Sequence, residues 1–160
     1  MNALVYHSAD KESWQKMPMP VIQYSTDAVV KMKKAVIYET DIPVMNGNAL
    51  SLTDGRIVGH EGVGVIEEVG KAVSNFKKGD HVLIFSTTSC GVCANCAQGL
   101  YSLCEKGGKM LGNVIDGTQA EYVRIPYADG SLFPISADAD EGVLVKLMLH
   151  LNTLAKKKVV

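Results

Sequence analysis

Cys90-Gly-Val-Cys93-Ala-Asn-Cys96, then seven residues, then Cys104, puts every cysteine of a 160-residue chain inside a fifteen-residue stretch. Four thiols at that spacing have two uses. They could close two disulfides, for which three pairings exist, or they could surround one metal ion. The two-residue gaps let successive thiolates wrap a single centre, and Cys104 can return to complete a tetrahedron. Zinc is the ion that such a set selects, and the site would be structural. With four protein sulfurs on the metal, no position remains for water or substrate. Binding of this kind contributes on the order of 10 kcal/mol to folding the loop that carries it. Charge supports the same reading, since Zn²⁺ on four thiolates adds −2 to a chain of net charge −1 and Lys106 and Lys109 stand beside the site. With all four thiols so committed, no cysteine remains as a nucleophile, and no serine-nucleophile motif is present. His7 and His81 stand alone in strand-like runs and read as ordinary histidines.

The elements that must position this cluster are mostly strands. Ala3–Tyr6, Ala28–Met32, Val63–Val69 and His81–Phe85 are rich in Val, Ile and other strand formers. Turn signals separate them at Asn46-Gly47, Asp54-Gly55 and Lys78-Gly79-Asp80. Past the cysteines, Gly117–Pro126 reads as a further strand ended by its proline. Lys31, Lys33 and Lys34 suit a guarded sheet edge, and Trp14, before Met17-Pro-Met-Pro20, suits a packed loop anchor. One helix is expected near the C-terminus. Asp138 with Glu141 forms a capping box, and Val143, Leu144, Leu147, Met148, Leu151 and Leu154 recur at helical spacing. Lys156–Lys158 complement the dipole at its end. The predicted architecture is mainly β around one core, a single domain over 1–160 with a zinc lobe at about 86–112.

Composition narrows the function classes. Hydrophobic residues make up 47% and charged residues 21%, the balance of a globular protein. Only two of the sixteen basic residues are arginine (Arg56 and Arg124), and the charge balance is near zero, which argues against nucleic-acid binding. No apolar run reaches membrane-spanning length, and the opening MNALVYHSADKESWQK carries no export signal, so a cytoplasmic location is expected.

The residues ahead of the cysteines carry a resemblance. Gly59-His60-Glu61-x-x-Gly64, Gly70-x-x-Val73 and Phe76-Lys-Lys-Gly79-Asp80-His-Val resemble the signature of zinc-dependent medium-chain alcohol dehydrogenases. The cysteine lobe, Ala120-Glu121-Tyr122-Val123, Ala3-Leu-Val-Tyr6 and Asp27–Lys31 follow the same family in order. The resemblance implies a GroES-like, partly open β-barrel, the substrate-side domain of those enzymes. It also implies a nicotinamide-binding Rossmann domain after this one. Here the chain stops near its expected start, and no Gly-x-Gly-x-x-Gly opens a helix. No NAD(P) site is therefore visible.

The same resemblance assigns a catalytic zinc to three side chains, and this sequence departs from it. Tyr38 occupies the place of the ligand cysteine and Pro43 that of a histidine in Ile37–Pro43; the third ligand would fall near Leu149. His60, with Glu61 beside it, remains, and Thr40 keeps the relay hydroxyl. Three readings follow. His60 and Glu61 are packing groups hydrogen-bonded inside the barrel. Alternatively Glu39, Asp41, His60, Glu61 and His150 rebuild a metal site able to activate water toward a pKa of about 7. Or the chain is an oxidoreductase subunit that borrows a cofactor domain in trans. The first expectation is a zinc-binding, alcohol-dehydrogenase-like protein without dehydrogenase activity of its own, through selection or through decay of the gene. The C-terminal helix would then dock another chain or a second copy of this one through its apolar face.

Overall fold

The computed structural model describes residues 1–37, 41–43, 52–146 and 148. Its described part is mainly β, as expected. A three-stranded antiparallel sheet holds β1 (Asn2–Ser8) between β2 (Lys11–Lys16) and β4 (Arg56–Ile57). A five-stranded sheet runs β7 (Tyr122–Ile125), β3 (Ala28–Ala35), β5 (Gly62–Val69), β6 (His81–Ile84) and β8 (Leu132–Pro134). A bridge between Ala3 and Ala120, flanked by main-chain bonds from Leu4 N to the Gln119 carbonyl and from Glu121 N to the Asn2 carbonyl, links the small sheet to the segment leading into β7.

The main core lies inside the larger sheet, where Val30, Ile66, Val82, Ile84, Val123 and Ile125 are all but sealed from solvent. Each such side chain contributes about 1.5–3 kcal/mol on burial. Strand β5 reaches this core only because β3 comes very close. A Cβ on Gly64 would stand 2.5 Å from the Lys31 carbonyl oxygen. Register shifts in β3 at Val29/Val30 and Met32/Lys34 lie on either side of that approach. At the base of β3, Asp27 is fully buried. It accepts main-chain N–H bonds from Gln23 and Tyr24 and an Arg124 Nη1 bond of 3.0 Å, tying β3 to β7.

Four sequence expectations need correction. Lys31 guards no edge, because Ala28–Lys31 pairs with β5 on one side and β7 on the other; Lys33 and Lys34 lie beyond the reach of β7. Trp14 sits on β2, not in a loop, and is 62% exposed. The polar alternation of KESWQK hid that strand. His7 does not stand alone: Nδ1 lies 2.8 Å from Asp54 Oδ1 and Nε2 lies 2.8 Å from Ser13 Oγ. The helix at 141–146 is capped by Asp140, whose Oδ1 accepts from Gly142 N and Val143 N, while Asp138 bonds Ser136. Leu144, Val145 and the buried Met148 pack on Val63 and Leu83, folding this helix onto its own barrel. The Asn46-Gly47 turn, Leu147, Leu151, Leu154 and the terminal lysines lie outside the described residues. Among the described residues no helix is long and apolar enough to cross a membrane.

Candidate functional site

The loop after β6 builds the cysteine cluster in small steps. Thr88 and Gly108 exchange main-chain bonds of 3.0 and 2.7 Å, closing the base of the lobe. Ser89 N donates to Ser131 Oγ at 3.1 Å, and that hydroxyl donates to the Pro126 carbonyl at 2.8 Å, fastening the base to the barrel. Cys93 caps the short helix Ala94–Ala97, which carries Cys96. The 3₁₀ turn Tyr101–Leu103 then delivers Cys104, whose sulfur accepts the Cys90 N–H at 3.2 Å. The result brings the Sγ atoms of Cys90, Cys93, Cys96 and Cys104 all within 4.8 Å of one another.

Protons on this cluster are unevenly held. The Glu105 N–H, then that of Cys96, hold the Cys93 thiol down at about 6. Burial, reinforced by the Cys93 hydrogen bond, pushes Cys96 up to about 12. At Cys104 burial opposes ionisation, but N–H groups of Cys90 and Lys106 outweigh it and lower the thiol. A divalent cation inverts such a balance by stabilising every thiolate at once. Four converging sulfurs with N–H donors behind them fit the soft, tetrahedral preference of zinc. They offer no open coordination position.

The second group forms where the chain turns at Gly59, held at φ +90°. A side chain there would collide with Gln119 and Thr118. Thr118 N donates to the Gly59 carbonyl at 3.0 Å, and its hydroxyl donates to the Glu61 carbonyl at 3.0 Å. These bonds fix His60 and Glu61 against the 117–120 segment. His60 Nδ1 lies 3.1 Å from Oδ1 of Asp41, which is buried in the single turn Asp41–Pro43. Burial pulls the His60 imidazole down, yet the hydrogen bond and charge of Asp41, with the charge of Glu61, raise it above 6.5. Glu61 itself is 1% exposed. Of the five residues proposed for a rebuilt site, the fold brings Asp41 onto His60; among the described residues the group of three or more such side chains whose ligand atoms converge is the four cysteines. Glu39 and His150, with Tyr38, Thr40 and Leu149, lie outside the described residues.

Sequence reasoning missed two polar features. The Asp54–His7–Ser13 chain depends on β1 lying between β2 and the turn before β4, which local composition does not reveal. Ser13 Oγ donates in turn to Gln15 Oε1 at 3.2 Å, so its proton is already engaged. Gln119, 6% exposed, has neither its amide nitrogen nor its amide oxygen hydrogen-bonded.

Comparison with known proteins agrees with this geometry. A family described as the alcohol dehydrogenase GroES-like domain matches residues 24–137. The chain is 41% identical over 145 residues to a zinc-type alcohol dehydrogenase B of Aspergillus flavus, covering 91% of this chain and 34% of that protein. A zinc-type alcohol dehydrogenase-like protein of Bacillus subtilis is 31% identical, over 88% of this chain and 40% of its own length. Among solved structures, the apo form of zinc-dependent alcohol dehydrogenase 2 from Streptococcus pneumonia superposes with a TM-score of 0.84 at 42% identity, covering 92% and 42% of the two chains. The chain thus spans about a third to a half of the curated relatives it matches.

Proposed function

The chain belongs to the alcohol dehydrogenase GroES-like domain family, and from that premise we propose that it is a zinc-stabilised, substrate-side domain that transfers no hydride by itself. The observation that carries the proposal is the convergence of four cysteine sulfurs within 4.8 Å. Cys90, Cys93, Cys96 and Cys104 would hold one Zn²⁺, which supplies folding energy to the lobe. The absence of autonomous dehydrogenase chemistry rests on the residues at the family's catalytic positions. Tyr38 stands where the resemblance expects the ligand cysteine, and Leu149 lies near where it expects the third ligand; His60 alone is a poor catalytic zinc site, which needs three protein ligands and a water. Any hydride transfer would need a nicotinamide-binding domain in addition to these residues. Docking of another chain, or of a second copy, belongs to the same proposal, on a surface other than the Leu144, Val145 and Met148 face that packs on Val63 and Leu83.

A second reading has one observation in its favour. Asp41 on His60 Nδ1 is the carboxylate–histidine arrangement that orients the other ring nitrogen toward a metal. This reading takes His60, with Glu61 next to it in sequence, as the start of a small hydrolytic or lyase-like metal site.

Metal content per chain separates the two. For protein purified without added zinc, the first reading expects about one zinc per chain, unchanged by His60→Ala and lost in Cys104→Ser. About two metal ions, falling to one in His60→Ala, would establish the second reading instead. Saturable micromolar binding of NADH by the isolated chain would sink the first reading outright.

A further inference from the structure

Apart from both metal-ligand clusters, the outer face of β1 and β2 meets the end of β3 in an open groove of about 460 Å³. Its walls are Leu4, Met32 and Ile37, with Trp14 along one side and Lys33 at the rim. Trp14 and Ile37 are 62% and 64% exposed, unusual for side chains of that size. Gln119 also lines the groove, and it is the residue whose amide nitrogen and oxygen are both buried without a partner. A buried amide in that state has forfeited its hydrogen bonds to water and gained none in return. It loses no hydrogen bond by rotating, so a ligand offering one donor and one acceptor recovers both.

We propose that this groove is a binding site for small apolar amides bearing a carboxylate, the chemistry of an N-acylated apolar amino acid. The ligand's amide meets the Gln119 amide, its aliphatic part lies on Leu4, Met32 and Ile37 under the Trp14 ring, and its carboxylate faces Lys33. Groove size suits such a molecule, being within the range of small-ligand sites. Lys33 has no ion-pair partner among the described residues. The groove's lining shares no residue with either ligand cluster, although Gln119 packs on the Gly59 turn beside His60.

Trp14 is the only tryptophan of the chain, so its fluorescence reports the groove alone. N-acetyl-leucine titrated into the full 160-residue chain is expected to give a saturable blue shift. 4-Methylpentanoate, which lacks the amide, should bind about tenfold more weakly, and N-acetylleucinamide, which lacks the carboxylate, should weaken in wild type but match wild type in Lys33→Gln. Gln119→Leu should lose the preference for the amide. No saturable shift, or an undiminished preference in Gln119→Leu, would overturn the proposal. Should Gln119→Leu fail to fold, the side-chain NH₂ resonance of Gln119 in the wild-type chain decides: displacement by N-acetyl-leucine supports the site, and an unmoved resonance rejects it.

Discussion

His60 illustrates how one contact sets a protonation state. Burial favours the neutral ring, and Asp41 with Glu61 reverses the outcome. Because the folded value is raised, stabilisation from this pairing is full below about pH 6.5 and is lost as pH rises through the folded value. In chelator-treated protein, Asp41→Asn is therefore expected to drop the imidazole pKa below that of the wild type, with burial then opposed by Glu61 without the Asp41 charge. Imidazole carbon-bound proton shifts followed by NMR would show it, and an unchanged pKa would remove Asp41 as the cause. His60 and Glu61 were legible from a signature of adjacent residues. Asp41 was only one candidate among several, because its approach depends on two turns meeting across 19 residues of sequence. The cysteine cluster was fully legible, since its geometry is written in short local spacings. Gln119 was not, because nothing in the run ahead of β7, expected as strand but observed as a bend, announces an amide that finds no partner.

At the scale of elements, the close contact between β3 and β5 gives a sharp expectation. Gly64→Ala would drive a methyl group into the Lys31 carbonyl at 2.5 Å, and main chain cannot step aside as a side chain can. A loss of about 1–3 kcal/mol follows, read as a lower urea midpoint with little change in slope. Helix capping yields a paired test. Asp140→Ala should cost about 1 kcal/mol and speed amide exchange at Leu144, whereas Asp138→Ala should leave that amide unchanged. Strands β1, β3, β5 and β6 were readable because β-branched residues mark their buried faces. Strands β2, β4 and β8 were not. β2 is polar at an edge, β4 is two residues long, and β8 is three residues ending in Pro134.

Across the whole molecule, two stabilising systems stand nearly apart. The barrel core of Val30, Ile66, Val82, Ile84, Val123 and Ile125 includes no cysteine, while the lobe closes on its own sulfurs and the Thr88–Gly108 bridge. Chelation of the zinc proposed for the four cysteines is therefore expected to unfold the lobe first. Amide protection at Cys104 and Leu103 should vanish while strand amides such as Ile66 and Val82 persist. Loss of both sets together would show that the barrel itself depends on the metal. The ion pair of Asp27 and Arg124, formed across 97 residues, belongs to the barrel side of this division.

The joint between the two sheets also dictates an order of events during synthesis. Asn2 N bonds the Glu121 carboxylate across 119 residues, and Leu4 N bonds the Gln119 carbonyl. Strand β1 thus leaves the ribosome more than a hundred residues ahead of one of its partners. At about 5–20 residues per second it waits on the order of ten seconds for that partner. Ile57 can cover Val5 early, but throughout the rest of that interval the Ala3 end of the nascent β1–β2 hairpin lacks Ala120 and stays open to a chaperone or to a wrong partner.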